Sequence, residues 1–130
     1  MPDLHRSLED LDGERWGAAP PGSTRLVAEV HRLRRRPVGE LSVEDLRLLV
    51  GQGMALDRLV PLALGHLRAD PLASGDLYPG DLLCALLRAD PAFWHARADL
   101  AAELACVVDG LGDPPAEVAA AARWFRARAA

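Results

Sequence analysis

The sequence predicts an all-α fold, built as a single-domain compact bundle of five to seven short helices. Of its 130 residues, 50% are hydrophobic but only 5% are aromatic. Leucine and alanine supply much of the apolar content, which favours helices over strands. Apolar residues also recur at helical spacing along most of the chain. A chain of this length suffices for one domain with its own core.

The first 22 residues show turn signals in place of a helical pattern. The segments DLDG at residues 10–13 and PPG at residues 20–22 are typical of turns. Trp16 is a large apolar residue between them. We therefore predict an irregular N-terminal arm over residues 1–22, which Trp16 anchors on the core.

A first helix is predicted over residues 23–36. Ser23 or Thr24 can cap its N-terminus, and Pro37 stops it because proline disfavours helical geometry in the preceding residue. The apolar stripe that is expected to face the core comprises Leu26, Val27, Val30 and Leu33.

The second predicted helix has the clearest start signal. Ser42 is placed as the N-cap and Asp45 as the third helical residue, a variant of the capping box. Leu41 and Leu46 are spaced as a hydrophobic staple across this start. The segment GQG at residues 51–53 ends the helix.

Two more helices are predicted before residue 90. One covers about residues 56–69, with Pro61 either kinking it or lying in the first turn of its regular part. After a loop over residues 72–78, Pro79 is predicted at the first position of a short helix that ends at Arg88.

The C-terminal part begins with Asp90 as an N-cap and Pro91 at the first helical position. Its helical pattern continues to about Val108, with a break near residues 98–99. An alanine-rich helix closes the chain, with Val118, Trp124 and Phe125 as candidate anchors. The predicted organisation is an arm (1–22) packed on the core, a helical core (23–109) and a C-terminal helix (114–130).

The two cysteines, Cys84 and Cys106, lie in apolar helical stretches and outside any Cys-x-x-Cys or Cys/His cluster. We expect both to be buried, reduced thiols. The N-terminus leads into acidic sequence without an apolar run, and no stretch approaches the roughly 20 apolar residues of a membrane span. These features predict a cytoplasmic protein without a membrane partner.

No motif for catalysis, metal binding or cofactor binding is found. No two of the four histidines lie three or four residues apart, so no single helix supplies a paired metal site. The G-x-S-x-G motif of a nucleophilic serine is missing. The pair Gly51 and Gly53 lacks the strand and third glycine of a dinucleotide site. We therefore expect no enzyme activity, no cofactor and no metal.

Arginine supplies all 15 basic residues, and four of them cluster at the end of the first predicted helix: Arg32, Arg34, Arg35 and Arg36. One interpretation is contact with phosphate or RNA. We favour a structural interpretation, in which these cations neutralise the helix C-terminus and cover apolar surface. No aromatic residue is interleaved with them, and the net charge is −4, which does not attract nucleic acid.

Acidic residues gather around the loop that follows the third predicted helix. Asp90 is best explained as a cap, but Asp76, Tyr78 and Asp81 crowd one short segment that we expect to be exposed. An acidic patch with one aromatic residue suits contact with a basic protein partner.

Two longer segments resemble a known family. Residues 31–52 contain HRLRRRP and LSVEDLR, and residues 59–83 contain LVPLAL and GDLYPGDLL. Together with LE at residues 8–9 and WG at residues 16–17, they resemble the small helical immunity proteins of contact-dependent growth inhibition systems, the CdiI-like family. The resemblance covers about residues 7–97, and EDLR and GDLYPGD are its most specific parts.

The resemblance implies a cytoplasmic, non-catalytic protein that binds the C-terminal toxin domain delivered by a neighbouring cell. Many such toxins are nucleases with basic surfaces, which an acidic inhibitor attracts. Five residues are nominated as partner contacts: Glu44, Asp45, Asp76, Tyr78 and Asp81. Two other functions stay open, namely a small helical adaptor or regulatory protein and a nucleic-acid-binding protein that uses the arginine cluster.

Overall fold

The structure, a computed structural model, describes residues 4–129. These residues form eight α-helices and one turn of 3-10 helix, and they contain no β-strand. The predicted all-α fold class is confirmed, but the described residues form eight helices where five to seven were predicted. The chain divides after Ser42 into two compact units, called here the first unit and the second unit. The division predicted at residues 22 and 109 stays a prediction.

The first unit contains a helix in the arm that was predicted to be irregular. Helix α1, Leu8–Asp12, is short and begins with a capping box. The Ser7 hydroxyl accepts a hydrogen bond from the Asp10 N–H, and the Asp10 carboxylate accepts one from the Ser7 N–H, each at 3.1 Å. The bond from the Ser7 backbone, together with Arg15, lowers the pKa of Asp10 to about 2. The reciprocal cap explains the missed helix, because it satisfies backbone groups that a five-residue segment otherwise leaves open.

Helix α2, Arg25–Arg34, begins after Thr24, whose hydroxyl accepts the Val27 N–H at 3.2 Å. A 3-10 turn, Val38–Glu40, follows it. Val30 and Leu33 are buried, whereas Leu26 and Val27 are 41% and 40% exposed. The predicted stripe is therefore wrong in its first half, because the arm contacts α2 near its C-terminal end.

Trp16 makes that contact, although 42% of the residue remains exposed. Its ring lies 4.1 Å from the Arg34 guanidinium carbon and 5.1 Å from the centre of the His31 ring. Arg34 is buried and donates to both carboxylate oxygens of Asp12, at 3.0 and 3.2 Å, and to the Glu14 carbonyl at 2.9 Å. A cation–π contact and a bidentate ion pair thus hold the arm against α2.

The second unit consists of six helices: α3, Val43–Gly51; α4, Leu56–Ala69; α5, Asp81–Leu87; α6, Pro91–Ala96; α7, Ala98–Asp109; and α8, Ala116–Arg128. Helix α5 lies at its centre and packs against α3, α4 and α8. All residues of α5 except Ala85 are buried. A helix that is apolar around its circumference is expected in such a position.

Several helix limits differ from the predicted ones. Helix α5 begins at Asp81 and not at Pro79, because Gly80 adopts a left-handed conformation with φ of +90° before the first turn. Helix α4 runs without a break through Pro61, and the predicted break between α6 and α7 falls at Arg97.

Two predictions about single side chains are corrected or refined in the C-terminal half. Cys84 is buried as expected, but Cys106 is exposed, because α7 turns Leu100, Leu104 and Val108 toward the core and Cys106 away from it. In α8, Val118 and Phe125 are buried, whereas Trp124 is half-buried and the Arg128 guanidinium carbon lies 4.9 Å from the centre of its ring.

Within residues 4–129, no helix has the length and hydropathy needed to cross a membrane.

Candidate partner-binding site

The site is built around residues 74–80, called here the 74–80 loop, which form the second part of the connection between α4 and α5. An isolated bridge between Ser74 and Pro79 closes the loop at its base. The Gly80 N–H donates to the Leu72 carbonyl at 3.1 Å, and the Asp81 N–H donates to the Tyr78 carbonyl at 3.0 Å. These backbone bonds bring the two ends of the loop together.

The carboxylate of Asp81 holds the interior of this loop. Its side chain is only 1% exposed. It accepts hydrogen bonds from the backbone N–H groups of Gly75 at 2.7 Å, Leu77 at 3.0 Å and Tyr78 at 3.4 Å. A carboxylate is suited to this because it has several acceptor positions and bonds to a charged acceptor are strong. Asp81 therefore fixes three of the seven loop residues at once.

A second carboxylate reaches the loop from α3. Glu44 and Arg47 lie one helical turn apart, and Arg47 donates to both Glu44 oxygens, through Nε at 2.6 Å and through Nη2 at 2.5 Å. Glu44 also accepts the Asp76 N–H at 2.9 Å. These bonds, led by the one from Arg47, lower the pKa of Glu44. The ion pair thus ties the outer part of the loop to the first turns of α3.

Arg47 also links the two carboxylates. Its Nε lies 3.9 Å from Asp81 Oδ2 while it is bonded to Glu44. The Arg47 side chain is 21% exposed, so its attraction to both acids is only partly screened by water. The resulting frame of Glu44, Arg47 and Asp81 shapes the loop from beneath.

The frame requires glycine at position 75, because the surrounding groups leave no room for a side chain there. A Cβ atom at this position would clash with Glu44 Oε1 and would lie 3.1 Å from both Asp81 Oδ2 and the Glu44 Cα. The close approach of two carboxylates to the Gly75 backbone leaves no room for a side chain.

The tip of the loop presents polar and apolar groups to solvent. Asp76 is exposed, and Leu77 is 62% exposed. Tyr78 is half-buried, and a hydrogen bond between its hydroxyl and the Cys84 thiol raises the pKa of Tyr78 to about 12. The surface that the loop exposes is therefore one carboxylate, one leucine and part of a phenol.

The structure brings four of the five nominated residues together. Glu44, Asp76, Tyr78 and Asp81 lie in or directly against the loop. Asp45 lies beside them in the first turn of α3 and is half-buried. The expectation that Asp81 is exposed is wrong, because its carboxylate turns inward to the backbone donors of the loop.

Three residues of the site were missed by the sequence analysis: Arg47, Gly75 and Leu77. A signal existed for Arg47, because an acid and an arginine three residues apart on a helix are spaced to pair. An apolar residue between Asp76 and Tyr78 in a polar loop was a weaker signal for Leu77, since single exposed apolar residues are common.

The arginine cluster makes contacts within the first unit. Arg34 is buried, Arg32 pairs with Glu29 at 2.9 Å, Arg35 donates to the His31 carbonyl at 3.4 Å and Arg36 donates to the Glu40 carbonyl at 3.1 Å. Arg34 is thus unable to reach a phosphate in this conformation. The contacts at carbonyls favour the structural interpretation of the cluster.

The acidic excess of the chain lies in the second unit. The sequence of this unit has twelve acidic and eight basic residues, whereas that of the first unit has seven of each, so the whole net charge of −4 belongs to the unit that carries the loop.

Among the described residues, no three His, Cys, Asp or Glu side chains are grouped as metal ligands.

Comparison with known proteins adds one finding. A family model described as CDI immunity proteins matches residues 10–104, which include the 74–80 loop and the frame beneath it. Helix α8 lies beyond the matched region. No curated protein matches the chain.

Proposed function

Because the chain belongs to the family of CDI immunity proteins, we propose that it acts in the cytoplasm by binding a nuclease toxin domain and covering its substrate-binding surface. In this proposal the protein makes and breaks no bonds itself. The toxin is inhibited because its nucleic-acid substrate and the immunity protein compete for the same basic surface.

The distribution of charge supports a basic partner. Nucleases bind a polyanion, so their substrate-binding surfaces are basic. The second unit carries a net charge of −4 and the loop site, while the first unit is balanced. Opposite potentials speed the encounter of two proteins. Fast capture matters here, because a free nuclease damages the cell with each turnover.

The five nominated residues are proposed to serve this surface in three ways. Asp76 and Tyr78 contact the toxin domain directly, and Asp45 adds negative charge beside them. Glu44 and Asp81 hold the loop in the shape that binds. The observation that carries this assignment is the set of backbone hydrogen bonds from the 74–80 loop to the two carboxylates.

Binding to the toxin domain encoded beside this gene tests the proposal. The purified domain and the full-length protein are mixed at micromolar concentration, and the complex is measured by calorimetry and size exclusion. We expect a stable complex with a Kd of about 10 nM or lower and loss of nuclease activity at equimolar ratio. Absence of a complex, or a complex that leaves the nuclease fully active, contradicts the proposal.

Co-expression gives the matched test in cells. Cells that produce the toxin domain are expected to grow only when this protein is also produced. Asp57→Asn is a suitable control variant, because Asp57 lies in the first turn of α4, at the opposite end of that helix from the loop. It removes one negative charge and should protect as well as the unmodified protein.

A further inference from the structure

Leu77 is an exposed apolar residue in an unusual setting. At 62% it is the most exposed of the large hydrophobic residues in the described part of the chain, where Leu4, Trp16, Leu26 and Val27 are 40–42% exposed. It also lies at the tip of a loop, between the exposed Asp76 and the half-buried Tyr78. Exposure of one leucine is ordinary, so its significance depends on how the loop is held.

The backbone around Leu77 is fixed by the frame. Its own N–H donates to the buried Asp81 carboxylate at 3.0 Å, and the Asp76 N–H donates to Glu44 at 2.9 Å. The Tyr78 N–H donates to Asp81 at 3.4 Å. Three consecutive backbone N–H groups are thus bonded to side chains of the protein, and the leucine between them is held outward.

A loop fixed in advance loses little entropy when a partner binds it. Ordering a flexible loop opposes association, and a preorganised loop avoids most of that cost. The frame therefore makes the apolar surface of Leu77 available for binding at low cost. The adjacent Asp76 carboxylate and the acidic second unit select a partner surface that is positively charged around the point of contact.

We propose that Leu77 is the apolar anchor of the complex and that it inserts into an apolar recess bordered by cationic groups on the toxin domain. This inference rests on the proposed function and adds the residue and the chemistry of its receptor. Leu77 supplies affinity by burying its side chain, and Asp76 supplies attraction to the cationic rim. Glu44, Arg47 and Asp81 are positioning residues that act through the loop.

The test compares Leu77→Ala with Leu26→Ala in binding to the same toxin domain. Leu26 is a matched control, because it is an exposed leucine on α2 in the first unit. We expect Leu77→Ala to raise the Kd at least about tenfold, through faster dissociation, as loss of a buried leucine side chain implies. Leu26→Ala should change the Kd less than twofold. Because Leu77 is exposed, the variant should unfold at the same denaturant concentration as the unmodified protein.

A second pair of variants tests the cationic rim. Asp76→Asn should slow association about threefold at low salt and make the association rate less dependent on salt. Asp57→Asn should have a smaller effect on both the association rate and its salt dependence. If the unmodified protein binds and the Kd of Leu77→Ala lies within threefold of its Kd, the role of Leu77 as the anchor is contradicted, while the proposed function stands. If the unmodified protein does not bind the toxin domain, the proposed function fails and the anchor fails with it.

Discussion

The carboxylate of Asp81 accepts the backbone N–H of Leu77 at 3.0 Å, so a buried acid fixes the position of the most exposed large apolar residue described. A buried charge is costly unless hydrogen bonds satisfy it. Here three backbone donors and the nearby Arg47 do so. The stability of the loop and the surface that it presents therefore depend on one side chain.

Removal of the Asp81 carboxylate is expected to destabilise the protein. Asp81→Ala leaves three backbone donors without their acceptor and should lower the free energy of unfolding by about 2–3 kcal/mol. Asp81→Asn keeps one acceptor oxygen and should cost about 1 kcal/mol. Denaturant unfolding followed by tryptophan fluorescence measures both. Asp90→Ala is the control, because Asp90 caps one donor, the Ala92 N–H at 2.9 Å. An equal loss in Asp81→Ala and Asp90→Ala contradicts the role of Asp81.

Addition of a methyl group at Gly75 should distort the frame. In Gly75→Ala the new Cβ meets the Glu44 carboxylate and lies 3.1 Å from Asp81 Oδ2. We expect a loss of about 2 kcal/mol in stability, as for overpacking in a closely fitted site. Gly51→Ala is the matched control, since nothing lies within 4 Å of its added Cβ at the end of α3. That variant should be neutral or slightly stabilising, and a similar loss in both variants rules out the spatial explanation.

Acidification should weaken the attachment of the loop to α3. The pKa of Glu44 is lower in the folded protein than its ordinary value of 4.5, first because of the hydrogen bond from Arg47. Its contribution to stability is therefore fully present above pH 4.5 and is lost as the pH falls through the folded pKa. Titration of the Glu44 carboxyl carbon by NMR should give a midpoint below 4.5. In Arg47→Ala the midpoint should rise toward 4.5, and an unchanged midpoint contradicts the assigned cause.

Alkaline titration should report the contact between Tyr78 and Cys84. Tyr78 is the single tyrosine of the chain, so absorbance of tyrosinate at long wavelength reports it alone. We expect a midpoint near pH 12, because the hydrogen bond with Cys84 favours the protonated phenol. This pKa exceeds the ordinary value of 10, so the contribution to stability is present below pH 10 and is lost as the pH rises through about 12. Cys84→Ala should move the midpoint toward 10, and no movement contradicts the contact.

The two thiols should react at very different rates. Cys106 is exposed on α7, whereas Cys84 is buried in α5 and burial raises the pKa of its thiol. With a disulfide reagent at pH 8, the single thiol of Cys84→Ala, Cys106, should react at least about 100-fold faster than the single thiol of Cys106→Ala, Cys84. Urea below the unfolding transition should speed the reaction of Cys84 only. Comparable rates in the two native variants contradict the burial of α5.

The sequence predicted most of the helices, but it missed α1 and did not predict how the side chains of the site are oriented. Periodicity predicted the bounds of α4, and Asp90 and Pro91 predicted the start of α6, because these signals are local. The start of α5 was missed because it depends on tertiary contacts. The Gly80 N–H is bonded to the Leu72 carbonyl, and the Asp81 carboxylate turns inward to the backbone of Gly75, Leu77 and Tyr78. The pairing of Glu44 with the Asp76 backbone joins residues 32 positions apart, and no local pattern encodes it.

The groups that shape the 74–80 loop and the side chains at its tip are different, so the tip can change while the shape of the loop is kept. The hydrogen bonds that shape the loop use backbone N–H groups of residues 75–78, which every amino acid except proline supplies. Residues 76 and 77 can therefore be exchanged without loss of those bonds. Under the proposed function, selection for a new target can act on these two exposed positions while the bonds that shape the loop are kept, which makes the loop a practical starting point for engineering orthogonal inhibitors.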